Sequence, residues 1–142
     1  MSKRGLHLYK RLALTTLTAL IGLGGAAQAD IHGAGPVYGG TSGVNGAISC
    51  RVFNFGGGSV QITFRQIFNS NNAPVTPTFD TCGAVLAIGS SCAYGARITG
   101  LLAYSCRITD SSTTPTSLSG AAETLSPAGE ILSVLPFLPT QK

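Results

Sequence analysis

The chain has no tryptophan, one methionine, two histidines and five acidic residues among 142 positions, and charged residues make up only 10% of it. Each shortage narrows the possible activities. The absence of tryptophan weakens a sugar-binding platform. A serine hydrolase needs a histidine base beside its nucleophile, and beyond residue 29 the sole histidine is His32. No Cys-x-x-Cys pair is available for a structural zinc site, and no Lys-Ser/Thr follows Gly56-Gly57-Gly58 as a phosphate cradle requires. Those three glycines read as a hairpin turn. Beyond residue 29 no stretch shows a 3.6-residue apolar period over ten residues, so long amphipathic helices are not expected.

What is present at the amino terminus has the layout of a secretory signal. Lys3, Arg4, Lys10 and Arg11 precede an apolar run from Leu12 to about Leu23, and small residues close the segment at Ala27-Gln28-Ala29. The run falls short of the roughly 20 apolar residues that span a bilayer, and Gly22, Gly24 and Gly25 interrupt its end. Residues 1–29 are therefore expected to be a cleaved signal peptide that leaves no stable membrane span. Removing them also removes the basic excess. Arg51, Arg65, Arg97, Arg107 and Lys142 then face Asp30, Asp80, Asp110, Glu123 and Glu130, and the net charge falls to zero. Scattered, balanced charges give no phosphate-binding footprint, so nucleic acid is not an expected partner.

The remaining chain is long enough for one small domain. Residues 30–46 hold six glycines and few apolar side chains, and read as a flexible arm. From residue 47 the period is two. Ile48, Cys50 and Val52 alternate with Ser49, Arg51 and Phe53; Val60, Ile62 and Phe64 alternate with Gln61, Thr63 and Arg65, with a change of phase near Gln66 that suggests a bulge. Cys92, Tyr94, Ala96 and Ile98 share one face, as do Leu102, Tyr104, Cys106 and Ile108. Pro74 and Pro77 confine Val75 to Phe79 to an edge strand or extended link. Gly100 marks a turn, Ser111 to Ser117 a Ser/Thr/Pro loop, and Leu118 to Leu125 a last core strand. Short strands between turn signals predict an all-β, immunoglobulin-like sandwich of about six or seven strands over residues 47–126, followed by an apolar tail, 127–142.

Four cysteines in an exported chain predict disulfides. Three pairings are open to them. The expected one joins Cys82 to Cys92 locally and Cys50 to Cys106 across the core, worth roughly 3 and 4 kcal/mol in the chain-entropy picture.

The stretch Thr81-Cys82-Gly83-Ala84-Val85-Leu86-Ala87-Ile88-Gly89-Ser90-Ser91-Cys92, with Asn54-Phe55-Gly56 and Ser59-Val60-Gln61-Ile62 before it, resembles immunoglobulin-like modules of bacterial surface proteins called choice-of-anchor D domains. The likeness runs over about 60 residues, from Ala47 to Tyr104. It implies a sandwich without catalysis, used as a structural or adhesive unit. The family's Phe-x-Pro after the second cysteine is missing, Cys106 is additional, and no tandem repeat or carboxy-terminal anchor is seen, which fits a stand-alone secreted or periplasmic relative.

Other candidate chemistry is sparse. Asp80, Asp110, Glu123 and Glu130 are the available carboxylates for glycoside hydrolysis, each expected in a loop or the tail. Cleavage after Ala29 would expose Asp30-Ile31-His32, whose amine, amides and imidazole could surround Cu(II) or Ni(II) in a plane; coincidence is the simpler account, and no cofactor, catalytic residue or metal ligand is assigned. Ile131, Leu132, Val134, Leu135, Phe137 and Leu138 in the tail either pack on their own domain or lend a strand to a neighbour. The expected role is a non-catalytic structural or binding module whose partner is unknown, a protein (itself or a surface partner) being one option, or alternatively a subunit of a surface fibre or pilus-like assembly using strand donation.

Overall fold

The computed structural model describes residues 29–39, 46–98, 101–111 and 118–139. The expected leader up to Gln28, Gly100, and residues 112–117 of the Ser/Thr/Pro loop lie outside them. Eleven strands are formed among the described residues: β1 (Asp30–Tyr38), β2 (Gly46–Asn54), β3 (Val60–Asn69), β4 (Pro74–Val75), β5 (Phe79–Asp80), β6 (Val85–Leu86), β7 (Ser91–Ile98), β8 (Ala103–Asp110), β9 (Leu118–Leu125), β10 (Ile131–Pro136) and β11 (Leu138–Pro139). Four of these are two-residue pairings; the other seven make up the body of the fold.

The strands form an all-β sandwich of two antiparallel sheets. One runs β11-β1-β8-β3-β4, with β6 also on β3; the other runs β10-β9-β2-β7-β5. The alternation in the sequence sets which side chains meet between them. Ile48, Cys50 and Val52 on β2 and Cys92, Tyr94, Ala96 and Ile98 on β7 are buried against Tyr104, Cys106 and Ile108 of β8. Removing an isoleucine of this size from water stabilises the fold by about 2–3 kcal/mol. Both expected disulfides are present: Cys50–Cys106 joins the sheets with Cα atoms 5.9 Å apart, and Cys82–Cys92 closes a local loop with Cα atoms 4.9 Å apart. Beside the first, the Tyr94 hydroxyl crosses the core to donate to the Arg107 carbonyl at 2.8 Å.

The four central strands match the immunoglobulin plan. β2 pairs with β7, β3 pairs with β8, and the inter-sheet disulfide links β2 to β8, as strands B, E, C and F do in that fold. The flanking strands are exchanged. In an immunoglobulin domain the first strand lies beside B and the last beside F; here β1 lies beside β8, and β9 beside β2.

Placing β1 in the sheet corrects the expectation of a flexible arm, since residues 30–38 are a strand and only residues 40–45 of the expected arm lie outside the described residues. The glycine entropy cost is offset by hydrogen bonding on both sides, to β8 and to β11. A bulge between Ala34 and Val37 holds a cis Gly35–Pro36 bond, and Gly35 has φ +116 with a would-be Cβ 2.7 Å from the Tyr104 carbonyl oxygen. Glycine is thus required for the close approach of β1 to β8. Three other differences have local causes. Gly56–Gly58 connect strands of different sheets rather than forming a hairpin. The irregularity in β3 falls between Ile62 and Phe64, which turns Phe64 outward beneath the Arg107 guanidinium, 5.5 Å from the ring centroid. The domain also extends beyond residues 47–126, because strands on both flanks complete its sheets.

Each side of the sandwich is closed by a segment that changes sheets. On one side, β4 edges the first sheet and β5 the second, with Arg65 of β3 paired to Asp80 of β5. On the other, the apolar tail packs on its own domain: β10 pairs with β9, and β11 pairs with β1. Phe137 sits at this crossing, half-buried against the core, with its amide donating to the Gly120 carbonyl at 2.8 Å. A Cβ on Gly120 would lie 2.1 Å from the Arg51 carbonyl oxygen and 2.7 Å from the Phe137 ring.

Gly120→Ala should therefore cost about 1–3 kcal/mol, read as a lower midpoint in urea unfolding; an unchanged midpoint would show that the crossing has room to spare. Burial holds the Tyr94 phenol far above its ordinary value, with Asp80 adding to the effect and Arg65 opposing it. A phenol whose pKa is raised by folding stabilises the native state below its unfolded pKa of about 10 and loses that contribution as pH rises through and beyond that value. Stability should fall above pH 10, and Tyr94→Phe should flatten that alkaline limb while costing about 1 kcal/mol at neutral pH.

Candidate functional site

The main buried polar group is built by β1. Asp30, His32 and Ala34 alternate inward, a period-two pattern in which the first two positions are ionisable. In the register with β8, Asp30 stands opposite Asp110 and His32 opposite Ile108. The His32 Nε2 lies 3.0 Å from Asp110 Oδ2, with the two side chains 4% and 0% exposed. An ionised carboxylate only accepts, so the imidazole N–H donates. A carboxylate in the core costs several kcal/mol unless it is paired, and His32 supplies that partner.

This geometry bears on the copper or nickel possibility weighed for Asp30-Ile31-His32. The third-position imidazole is turned into the core and engaged by Asp110, so planar capture would require pulling β1 from its sheet. Among the described residues no group of three or more His, Cys, Asp or Glu side chains is arranged to hold a metal.

The four carboxylates considered for glycoside hydrolysis are not brought together. Asp110 is with His32, Asp80 with Arg65, and Glu123 accepts from Arg51 at 2.8 Å, while Glu130 is exposed at the turn before β10. Asp80, Asp110 and Glu123 lie in strands, each with a basic partner on another strand; this corrects the loop placement expected for Asp80 and Asp110, while Glu123 falls within the expected Leu118–Leu125 strand.

The residues that carry the family resemblance form a structural knot. Asn54, fully buried, donates through Nδ2 to the Gly58 and Leu86 carbonyls and accepts from the Gly56 amide. Its own amide and carbonyl bond Ser90 and Gly89. One side chain thereby fixes the corner after β2, the short β6 and the loop before β7. Nearby, the Thr81 hydroxyl exchanges hydrogen bonds with the Ala93 carbonyl and amide, fastening the start of the Cys82–Cys92 loop to β7.

Among the described residues, an open groove of about 650 Å³ lies on the outer face of the first sheet, lined by Ile31, Gly33, Phe68, Asn69, Asn72, Ser105 and Arg107. It offers an aromatic ring, two amides, a hydroxyl and one guanidinium. Phe68, Asn69 and Asn72 carried no signal in the sequence, since nothing in their spacing shows that the turn after β3 rises beside β1 and β8.

No protein-family model, curated protein or solved structure matches the chain. The site is therefore read from its chemistry alone.

His32→Ala should lower stability by about 2–4 kcal/mol, because it leaves a buried carboxylate without its imidazole. Chemical denaturation checks this, and a loss under 0.5 kcal/mol would mean that Asp110 does not need His32.

Proposed function

We propose that the protein is exported, loses residues 1–29, and acts as a non-catalytic structural or binding module related to choice-of-anchor D domains. The observation that carries this reading is the doubly stapled sandwich, with one disulfide through its core and another at its rim. Such bonds suit an oxidising compartment. No helix among the described residues is long and apolar enough to cross a membrane. The groove on the first sheet is the binding surface in this reading, and its mixed apolar and polar lining with one charged side chain, Arg107, fits a protein partner better than nucleic acid.

The alternative role as a fibre subunit rests on β10. Ile131, Leu132, Val134 and Leu135 are exposed on an uncharged edge strand, and such edges invite added strands. Strand lending here would have to be an exchange between copies, because β10 and β11 already complete the protein's own sheets.

Protein recovered from an expressing culture should have a mass that begins at Asp30, and no cysteine should alkylate before reduction. A retained Met1 with four reactive thiols would overturn the export reading. Electron microscopy of the same material separates the two roles, since filaments are expected only of the fibre subunit.

A further inference from the structure

The groove on the first sheet holds a cation that its own chain leaves without a carboxylate. In the ladder, Arg107 of β8 has Gly33 of β1 on one side and Gln66 of β3 on the other. Gly33 has no side chain to lay against it. The Gln66 amide is engaged toward the sheet edge, where its Nε2 donates to the Ile67 and Val75 carbonyls at 3.1 and 3.0 Å. Arg51 and Arg65 each hold a carboxylate, but no acidic side chain among the described residues pairs with Arg107, whose guanidinium lies over the Phe64 ring. An aromatic contact of that kind consumes no hydrogen-bond donor, so the fork of N–H groups is left for a ligand.

The remaining lining is also rich in donors. The Asn69 Oδ1 accepts from the Asn71 and Ala73 amides, both at 3.0 Å, so the turn after β3 uses the oxygen end of this amide and its Nδ2 donors remain. Ser105 lies beside Gly35, where a Cβ would come 2.9 Å from its hydroxyl oxygen, and glycine keeps that side of the hydroxyl uncovered. None of the described residues lining the groove is acidic. We infer that the groove takes an acidic side chain from an extended segment of a partner protein, with the carboxylate on the Arg107 guanidinium and a neighbouring apolar residue against Phe68 and Ile31. A carboxylate accepts two parallel N–H bonds from such a fork. Its single charge equals that of Arg107, whereas a phosphate group at roughly −2 would be only half compensated. Ile31 and Phe68 favour a peptide over an acidic sugar, because a polyhydroxylated ring brings no aliphatic chain to cover them.

This inference rests on the reading of the groove as the binding surface, and the two can fail separately. Isotope-labelled protein with both disulfides formed is titrated with two mixtures of capped pentapeptides, one with a central glutamate and one with a central glutamine, the other positions randomised over neutral residues. The glutamate mixture should shift the Arg107 Nε–H, Gly33 and Asn69 resonances and bind about tenfold more tightly than the glutamine mixture. Added salt should narrow that difference. Arg107→Gln should abolish it, an exposed change that leaves the carbonyl bonded by Tyr94 in place, and Arg107→Lys, which keeps the charge without the fork, should fall between. Equal shifts from the two mixtures, or a preference that survives in Arg107→Gln, would overturn the acidic assignment and leave the groove standing as a binding surface. Shifts confined to other surfaces, or none, would overturn both. An oligogalacturonate that moves the same resonances at lower concentration than the glutamate mixture would overturn the choice of a protein partner.

Discussion

The bond between Cys50 and Cys106 is the constraint on which the remaining structure depends. It joins the middle strand of one sheet to a central strand of the other, over a separation of 56 residues. A small domain with few large aromatic side chains buries a limited apolar area. The disulfide offsets this by excluding extended unfolded conformations, and it sets the spacing at which Tyr94 reaches the Arg107 carbonyl. Strands on either side are then added to a fixed pair of sheets. The exchange of the first and last long strands relative to an immunoglobulin domain leaves this centre untouched.

Closure of the two sides follows a common device. A short segment edges one sheet, crosses, and edges the other, with a phenylalanine near each crossing set against a glycine: Phe137 over Gly120, and Phe79 over Gly95. The pairing lets an aromatic ring sit where a side chain would otherwise stand. The β4–β5 side presents only two-residue strands and prolines, which discourage added strands. The β10 side is longer and apolar, and is where any self-association would begin.

Much of the core was legible from parity alone. Cys50 and Cys106 fall on the apolar faces of alternating segments, which is why their pairing across the sheets could be anticipated, and Cys82 and Cys92 bracket a loop too short to separate them. β1 was hidden by its composition. Glycines that signal disorder in isolation here admit close packing against β8, and no property of residues 30–38 shows that strands from the far end of the chain flank them. The same blindness concealed the His32–Asp110 pair, whose members are 78 residues apart. The inward alternation of Asp30, His32 and Ala34 was the available signal, though ionisable residues at inward positions do not read as a core face. The groove was illegible for a different reason, because it is assembled by three strands and a turn with no shared motif.

The most direct test of the central claim is to compare the unfolding free energies of the oxidised protein, a Cys50→Ala/Cys106→Ala variant and a Cys82→Ala/Cys92→Ala variant. The first pair of substitutions should cost about 4 kcal/mol or abolish folding, and the second about 3 kcal/mol or less. A protein that keeps its stability without the Cys50–Cys106 bond, yet unfolds without the local one, would contradict the account.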